Sequence, residues 1–196
     1  AAPAGPVAAD RPVRVLALGD SLTAGYLLGP GEGFAPQLEA ALRKAGFDVV
    51  VIDAGVSGDT ATGGLERLDW ALGEGADVAI VELGANDMFR GTDPALVRAA
   101  LDAILTRLKA KGVRPILAGM KAARGMGATY IAAFDAIYPE LAKAHDVPLY
   151  PFFLEGVAGD PSLNLSDGIH PTKQGVAKIV AGILPLVEET LRQRAS

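Results

Sequence analysis

The sequence predicts an α/β protein, a three-layer α/β/α sandwich built on a five-stranded parallel sheet. Five short runs rich in Val, Ile, Leu and Ala recur along the 196 residues, at about 13–18, 49–52, 78–81, 115–118 and 147–150. Continuous apolar runs of this length suit strands covered on both faces, as in parallel sheets. Between them lie segments with apolar residues at helical spacing, so strand and helix alternate as right-handed crossovers require. No internal repeat or shift in composition marks a second unit, which leaves a flexible lead-in over 1–12 and one domain over 13–196.

Residues 1–12 carry three prolines and no periodicity, as expected of a flexible lead-in. The first strand, Val13 to Leu18, runs into Gly19-Asp20-Ser21, a tight turn that leaves a hydroxyl at the carboxyl end of the sheet. Gly29-Pro30-Gly31-Glu32-Gly33 is a loop rather than a phosphate cradle, because no Lys-Ser/Thr pair closes it and it does not join a strand to a helix. From Phe34 a helix carries Leu38, Ala41, Leu42 and Ala45 and stops at Gly46. The second strand is Val49 to Ile52. A helix through Leu65, Leu68 and Leu72 leads to the third, Val78 to Val81.

Thr92 or Asp93 caps a helix of about Pro94 to Lys111, with Pro94 in its first turn and Val97, Leu101, Ile104, Leu105 and Leu108 facing the core. Pro115 to Ala118 is the fourth strand, followed by a loop over Met120 to Gly127. The next helix, about Thr129 to Ala144, contains Pro139, which should kink or split it. A short fifth strand ends near Tyr150. The last helix opens at Pro171 and should bend at Pro185.

Half of the residues are hydrophobic, 21% are charged and the net charge is −5. That balance excludes wholesale disorder, and with scattered lysines and arginines it argues against a nucleic-acid or anionic-membrane binder. Cysteine is absent, which removes disulfides, thiolate nucleophiles and cysteine metal sites. No run reaches the roughly 18 apolar residues of a membrane span. No His-Glu-x-x-His pattern or comparable cluster calls for a metal.

Ser21 gains meaning from three later segments: Ser57-Gly58-Asp59-Thr60, Gly84-Ala85-Asn86-Asp87 and Asp167-Gly168-Ile169-His170-Pro171. A serine hydroxyl is a weak nucleophile and needs a base that is itself held by a third group. Of the two histidines, His145 ends a helix, where a cation suits the helix dipole, and is expected to be structural. His170 sits in a loop with Asp167 three residues before it, close enough for the carboxylate to hold one ring nitrogen while the other faces Ser21. Acyl transfer also needs donors for the developing oxyanion. The N–H of Ser21, the N–H of Gly58 and the side-chain amide of Asn86 are the candidates. Asp20 and Asp87 are expected to tie loops together. Asn164-Leu165-Ser166 matches a glycosylation sequon, a pattern too short to carry weight alone.

From about Arg14 to the last helix, these motifs resemble the GDSL esterases and lipases, also called SGNH hydrolases. The Gly-Asp-Ser-Leu turn and the Asp-Gly-Ile-His-Pro segment carry most of the likeness. The resemblance implies the flavodoxin-like SGNH hydrolase fold with strand order 2-1-3-4-5. It also implies catalytic roles for Ser21, Asp167 and His170 and oxyanion roles for Ser21, Gly58 and Asn86, with no cofactor. The implied substrates are small-molecule aryl esters, short to medium acyl esters, acyl thioesters and lysophospholipids, with a periplasmic or secreted setting. The small, uncharged, Pro-rich Ala1 to Pro6 fits an exported chain. Leu27, Leu28, Met120, Phe152 and Phe153 are candidates to border an acyl groove. One departure is Asp53, where the family often has Asn, which bears on the loop's supporting hydrogen bonds. A carbohydrate O-acetyl esterase is the enzymatic alternative, and a non-catalytic flavodoxin-like ligand-binding module is the alternative from another class. Oligomeric state stays open, with a monomer compatible.

Overall fold

The computed structural model describes residues 11–195; most of the expected flexible segment therefore lies outside the described residues. The chain runs β1 (Val13–Gly19), α1 (Ser21–Ala24), α2 (Phe34–Lys44), β2 (Val49–Gly55), α3 (Ala61–Glu66), α4 (Leu68–Leu72), β3 (Val78–Glu82), α5 (Ala85–Phe89) and α6 (Pro94–Ala110). It continues through β4 (Arg114–Ala118), a 3₁₀ turn at Arg124–Met126, α7 (Ala128–His145), β5 (Leu149–Tyr150) and α8 (Lys173–Ala195). The sheet is wholly parallel in the order β2-β1-β3-β4-β5. This is the three-layer architecture and the order expected above.

The strands form where the sequence concentrates apolar residues that both sheet faces can bury. β3 is buried throughout, and β1 is buried from Val15 onward. Helices α2 and α8 pack together on one face, while α3, α6 and α7 pack together on the other. Every turn of α6 contributes to that second layer: Val97, Leu101, Ile104, Leu105 and Leu108 are all buried, each contributing on the order of 1.5–3 kcal/mol of transfer free energy. Asp93 caps it by accepting from the Ala95 N–H at 2.9 Å.

The direction of winding reverses between β1 and β3. Loops leaving the carboxyl ends of these neighbours diverge to opposite faces and leave a crevice between them, where ligands of open α/β sheets bind. Ser21 follows β1 and Asn86 follows β3.

Two details differ from expectation, each for a local reason. The helix expected through Leu65 to Leu72 is two, α3 and α4, joined at Arg67, whose guanidinium is drawn to carbonyls at the ends of two strands. Of the expected kink or split at Pro139 and bend at Pro185, neither interrupts its helix: α7 and α8 run on through them; a proline removes one backbone bond, and the packing of Phe134, Ile137, Tyr138 and Leu141 on the core outweighs it in α7. The last helix starts at Lys173, not Pro171. Pro171 pairs with Asn164 in an isolated antiparallel bridge, and Thr172 Oγ1 accepts from the Gly175 N–H at 3.1 Å, taking the cap position.

Candidate active site

Ser21 opens the single-turn helix α1. Asp20 precedes it and accepts the Leu22 N–H at 2.9 Å, which closes the turn and satisfies one free amide of the helix start. Leu22 and Thr23 are buried, so the turn is anchored from behind while Ser21 stays accessible at its front.

The candidate base, His170, comes from the loop before α8. Asp167 Oδ1 accepts the N–H groups of Ile169 (2.8 Å) and His170 (3.0 Å), and Oδ2 accepts from His170 Nδ1 at 2.6 Å. One carboxylate thus folds its own loop and orients the ring. These bonds, led by that to the His170 side chain, hold Asp167 down to about 2. An ionised Asp167 can only accept, which places the ring proton on Nδ1 and leaves the Nε2 lone pair to accept from Ser21 Oγ at 3.0 Å. The loop is tied from below. Asn164 Nδ2 donates to the carbonyls of Val157 (2.7 Å) and Asp160 (2.9 Å), and the Leu165 N–H donates to the His170 carbonyl at 2.7 Å. The sequon asparagine is therefore a buried loop tie with its amide engaged. The Tyr26 ring covers His170 with centroids 4.4 Å apart, a contact the sequence did not signal.

Asn86 lines the same cavity as Ser21 and His170. Its Nδ2 donates to the Asp59 carbonyl at 2.9 Å and stands 3.5 Å from Asp20 Oδ2, so one N–H is fixed and the second is weakly engaged. Gly58 belongs to the same turn as Asp59. It has φ +83°, and a Cβ added there would meet nothing; glycine is required by the left-handed backbone and not by crowding. Two groups hold this turn to the sheet. Arg67 Nε pairs with Asp59 Oδ2 at 2.6 Å, while its Nη1 and Nη2 donate to the carbonyls of Ala54 and Gly19. Asp87, raised by burial, accepts the Ala61 N–H at 2.9 Å. Asp53, at the departure from the family pattern, accepts the Gly55 N–H at 2.9 Å at the end of β2.

The cavity has a volume of about 460 Å³. Met120 and Phe152 line it, together with Met88, Phe89, Leu154 and Ile169. Leu27, Leu28 and Phe153 are corrected. Leu27 points to solvent at 75% exposure, and Leu28 packs partly against the core. Phe153 is 0% exposed and meets Phe34 edge-on at 5.1 Å. After β5, consecutive side chains point in different directions, so Phe152 reaches the cavity and Phe153 the core. His145 bonds to Asp102 at 2.6 Å at the end of α7, away from the cavity.

Two further residues escaped the sequence reading. Arg67 sits in what looked like one continuous helix and gave no signal. Glu82 did give one: a carboxylate directly after Val78–Val81, in a strand buried on both faces.

The GDSL-like Lipase/Acylhydrolase family model matches residues 17–178. The chain is 34% identical to esterase TesA of Pseudomonas aeruginosa over 178 residues, covering 90% of this chain and 89% of the relative. It is 40% identical over 160 residues to a protein of Escherichia coli named thioesterase 1/protease 1/lysophospholipase L1, covering 81% and 76%. Its structure is similar to that of AlinE4, an SGNH-hydrolase family esterase, with a TM-score of 0.78, 44% identity and coverage of 92% and 97%. Among the described residues no helix is long and apolar enough to cross a membrane. The match over most of the sheet and the site loops, together with these relatives, places the chain in the GDSL-like lipase/acylhydrolase family, and it is a hydrolase of that family.

Proposed function

We propose that the protein is a serine esterase that cleaves carboxylic esters through an acyl-enzyme, with Ser21 as nucleophile, His170 as general base and then general acid, and Asp167 as its orienting carboxylate. The observation that carries this reading is the Ser21–His170–Asp167 relay, 3.0 Å and 2.6 Å in its two steps, opening onto an apolar cavity. His170 takes the Ser21 proton as Oγ attacks the carbonyl carbon, and Asp167 stabilises the imidazolium that forms. The collapsing tetrahedral intermediate expels the alcohol, which receives that proton. Water activated by the same ring then releases the acid and restores Ser21.

The oxyanion is received by the N–H groups of Ser21 and Gly58 and by Asn86 Nδ2. Asn86→Ala is expected to lower kcat by about 10²–10³ with little change in KM, because this donor acts on charge that exists only in the transition state. A change confined to KM would remove Asn86 from that role.

The acyl group lies along Met88, Phe89, Met120, Phe152, Leu154 and Ile169. A cavity of this size and lining accommodates a medium-length chain, which favours acyl esters and thioesters over acetyl groups on carbohydrate. The family resemblance supports a periplasmic or secreted setting. Initial rates with p-nitrophenyl acetate, butyrate, octanoate and palmitate test the assignment. We expect kcat/KM to rise at least tenfold from acetate to octanoate, since each buried methylene contributes up to about 0.8 kcal/mol. A preference for acetate would point to the O-acetyl esterase alternative.

A further inference from the structure

Glu82 is deeply buried and takes no part in the chemistry just described. It ends β3 beside Gly19 of β1 and is 1% exposed. Its Oε1 accepts from Thr23 Oγ1 at 2.8 Å and lies 3.4 Å from the Asp20 N–H nitrogen. The packing is tight enough that a Cβ on Gly19 would stand 2.1 Å from Thr23 Oγ1 and 2.7 Å from Glu82 Oε1. Oε2 is buried, and no N–H or O–H donor among the described residues reaches it. The carboxyl of Asp20 is a neighbour in the same buried space, and a charge on it opposes a charge on Glu82.

Two buried carboxylates side by side repel, and a proton on one of them removes that repulsion and gives the otherwise unpartnered Oε2 something to donate. Asp20 is the better place for the charge. It accepts the Leu22 N–H, lies near Asn86 Nδ2 and is stabilised by the field of His170. Glu82 has only the Thr23 hydroxyl and a long contact to the Asp20 N–H. Among the described residues, the other groups around the pair include Asp59, which opposes a second negative charge, Arg67, which donates to the Gly19 carbonyl, and Tyr138, whose hydroxyl is committed to the Leu83 carbonyl at 2.7 Å.

We propose that Glu82 is a positioning residue that keeps a proton at neutral pH and donates it to Asp20, so that a single negative charge lies behind Ser21 and faces His170. The proposal rests on the roles given above to Ser21 and His170. The charge on Asp20 supports the imidazolium formed in both half-reactions, and the neutral Glu82 holds Thr23 and Asp20 in place without adding a second charge. Burial, reinforced by Asp20, pushes Glu82 well above the ordinary carboxyl range, and burial raises Asp20 to about 6.

A carboxyl raised on folding is protonated in the native state while it ionises in the unfolded chain. The native state then binds more protons, and stability falls as pH rises above the ordinary carboxyl range, until the folded group itself ionises. Glutamine at this site has no proton to lose. The stability of Glu82→Gln relative to wild type should therefore increase with pH.

The test compares wild type, Glu82→Gln, Glu82→Leu and Asp20→Asn. In urea unfolding between about pH 4.5 and pH 8, the midpoint of Glu82→Gln should gain on wild type as pH rises; a constant gap overturns the proposal without reference to activity. With p-nitrophenyl octanoate, Glu82→Gln should keep kcat/KM within about threefold of wild type, since the amide still donates to Asp20 and accepts from Thr23. Glu82→Leu should lose about 10- to 10²-fold. Asp20→Asn should lower the plateau and remove one ionisation from the acid limb of the kcat/KM profile. Glu82→Gln as impaired as Glu82→Leu, or both near wild type, overturns the positioning role. An inactive Ser21→Ala beside either outcome keeps the nucleophile assignment separate. Should Glu82→Gln fail to fold, carbon-13 NMR of wild type with labelled glutamate side chains decides the matter: one carboxyl still protonated at neutral pH supports the proposal, and full ionisation overturns it.

Discussion

Ser21→Ala is expected to lower kcat by about 10⁴–10⁶ while leaving the unfolding free energy within about 1 kcal/mol of wild type. The two halves of that expectation have separate structural causes. The turn is held by Asp20 accepting the Leu22 N–H and by the buried Leu22 and Thr23, none of which depends on the serine hydroxyl. Among the described residues the hydroxyl itself bonds only to His170, so its removal should abolish the proposed covalent catalysis and little else. What survives is catalysis by the oxyanion donors and by substrate binding, which typically leaves a rate above that in water. Rapid-quench or stopped-flow release of p-nitrophenol should show a burst in wild type and none in the variant. A variant that keeps more than about a hundredth of the activity, with the same pH profile, would assign the attack to another group. A folded wild type inactive on every acyl length would favour the binding-module alternative.

The second large effect is at His170. His170→Ala is expected to cost about 10⁴–10⁶ in kcat, because in the proposed mechanism the same ring removes the Ser21 proton and then protonates the leaving group. Its consequences for stability should be small, since Asp167 still accepts the N–H groups of Ile169 and residue 170 through Oδ1, and the loop keeps its tie through Asn164. In wild type, kcat/KM should rise with pH as the ring loses its proton. Asp167 titrates far below that range, at about 2, so it stays ionised throughout and does not shape the acid limb. A flat profile between about pH 5 and pH 8, with chemistry shown to limit the rate, would rule out His170 as the base.

Ser21 and His170 are 149 positions apart, yet both were legible because each is announced by its neighbours in sequence. A buried apolar strand ending in Gly-Asp-Ser forces a turn at the sheet's carboxyl edge, whatever else the chain does. Asp167 and His170 are three residues apart, so their pairing is a property of one short loop. Core-facing stripes such as Val97 to Leu108 are likewise written in their own spacing. The split at Arg67 was not legible in this way. It depends on the carbonyls of Ala54 and Gly19, which lie in other elements.

The sequence by itself determined the layer architecture and the residues of the candidate relay, because periodicity and short-loop geometry act over a few residues. Only the tertiary structure decided that Phe152 faces the cavity while Phe153 and Leu28 pack against the core and Leu27 meets solvent, that Tyr26 covers His170, and that Glu82 meets Asp20 behind the nucleophile. Each of these rests on how strands register and how loops from different strands crowd one sheet edge. The charge of a carboxyl follows from the dielectric and the donors around it, and for Glu82 and Asp20 both are supplied by segments distant in the chain.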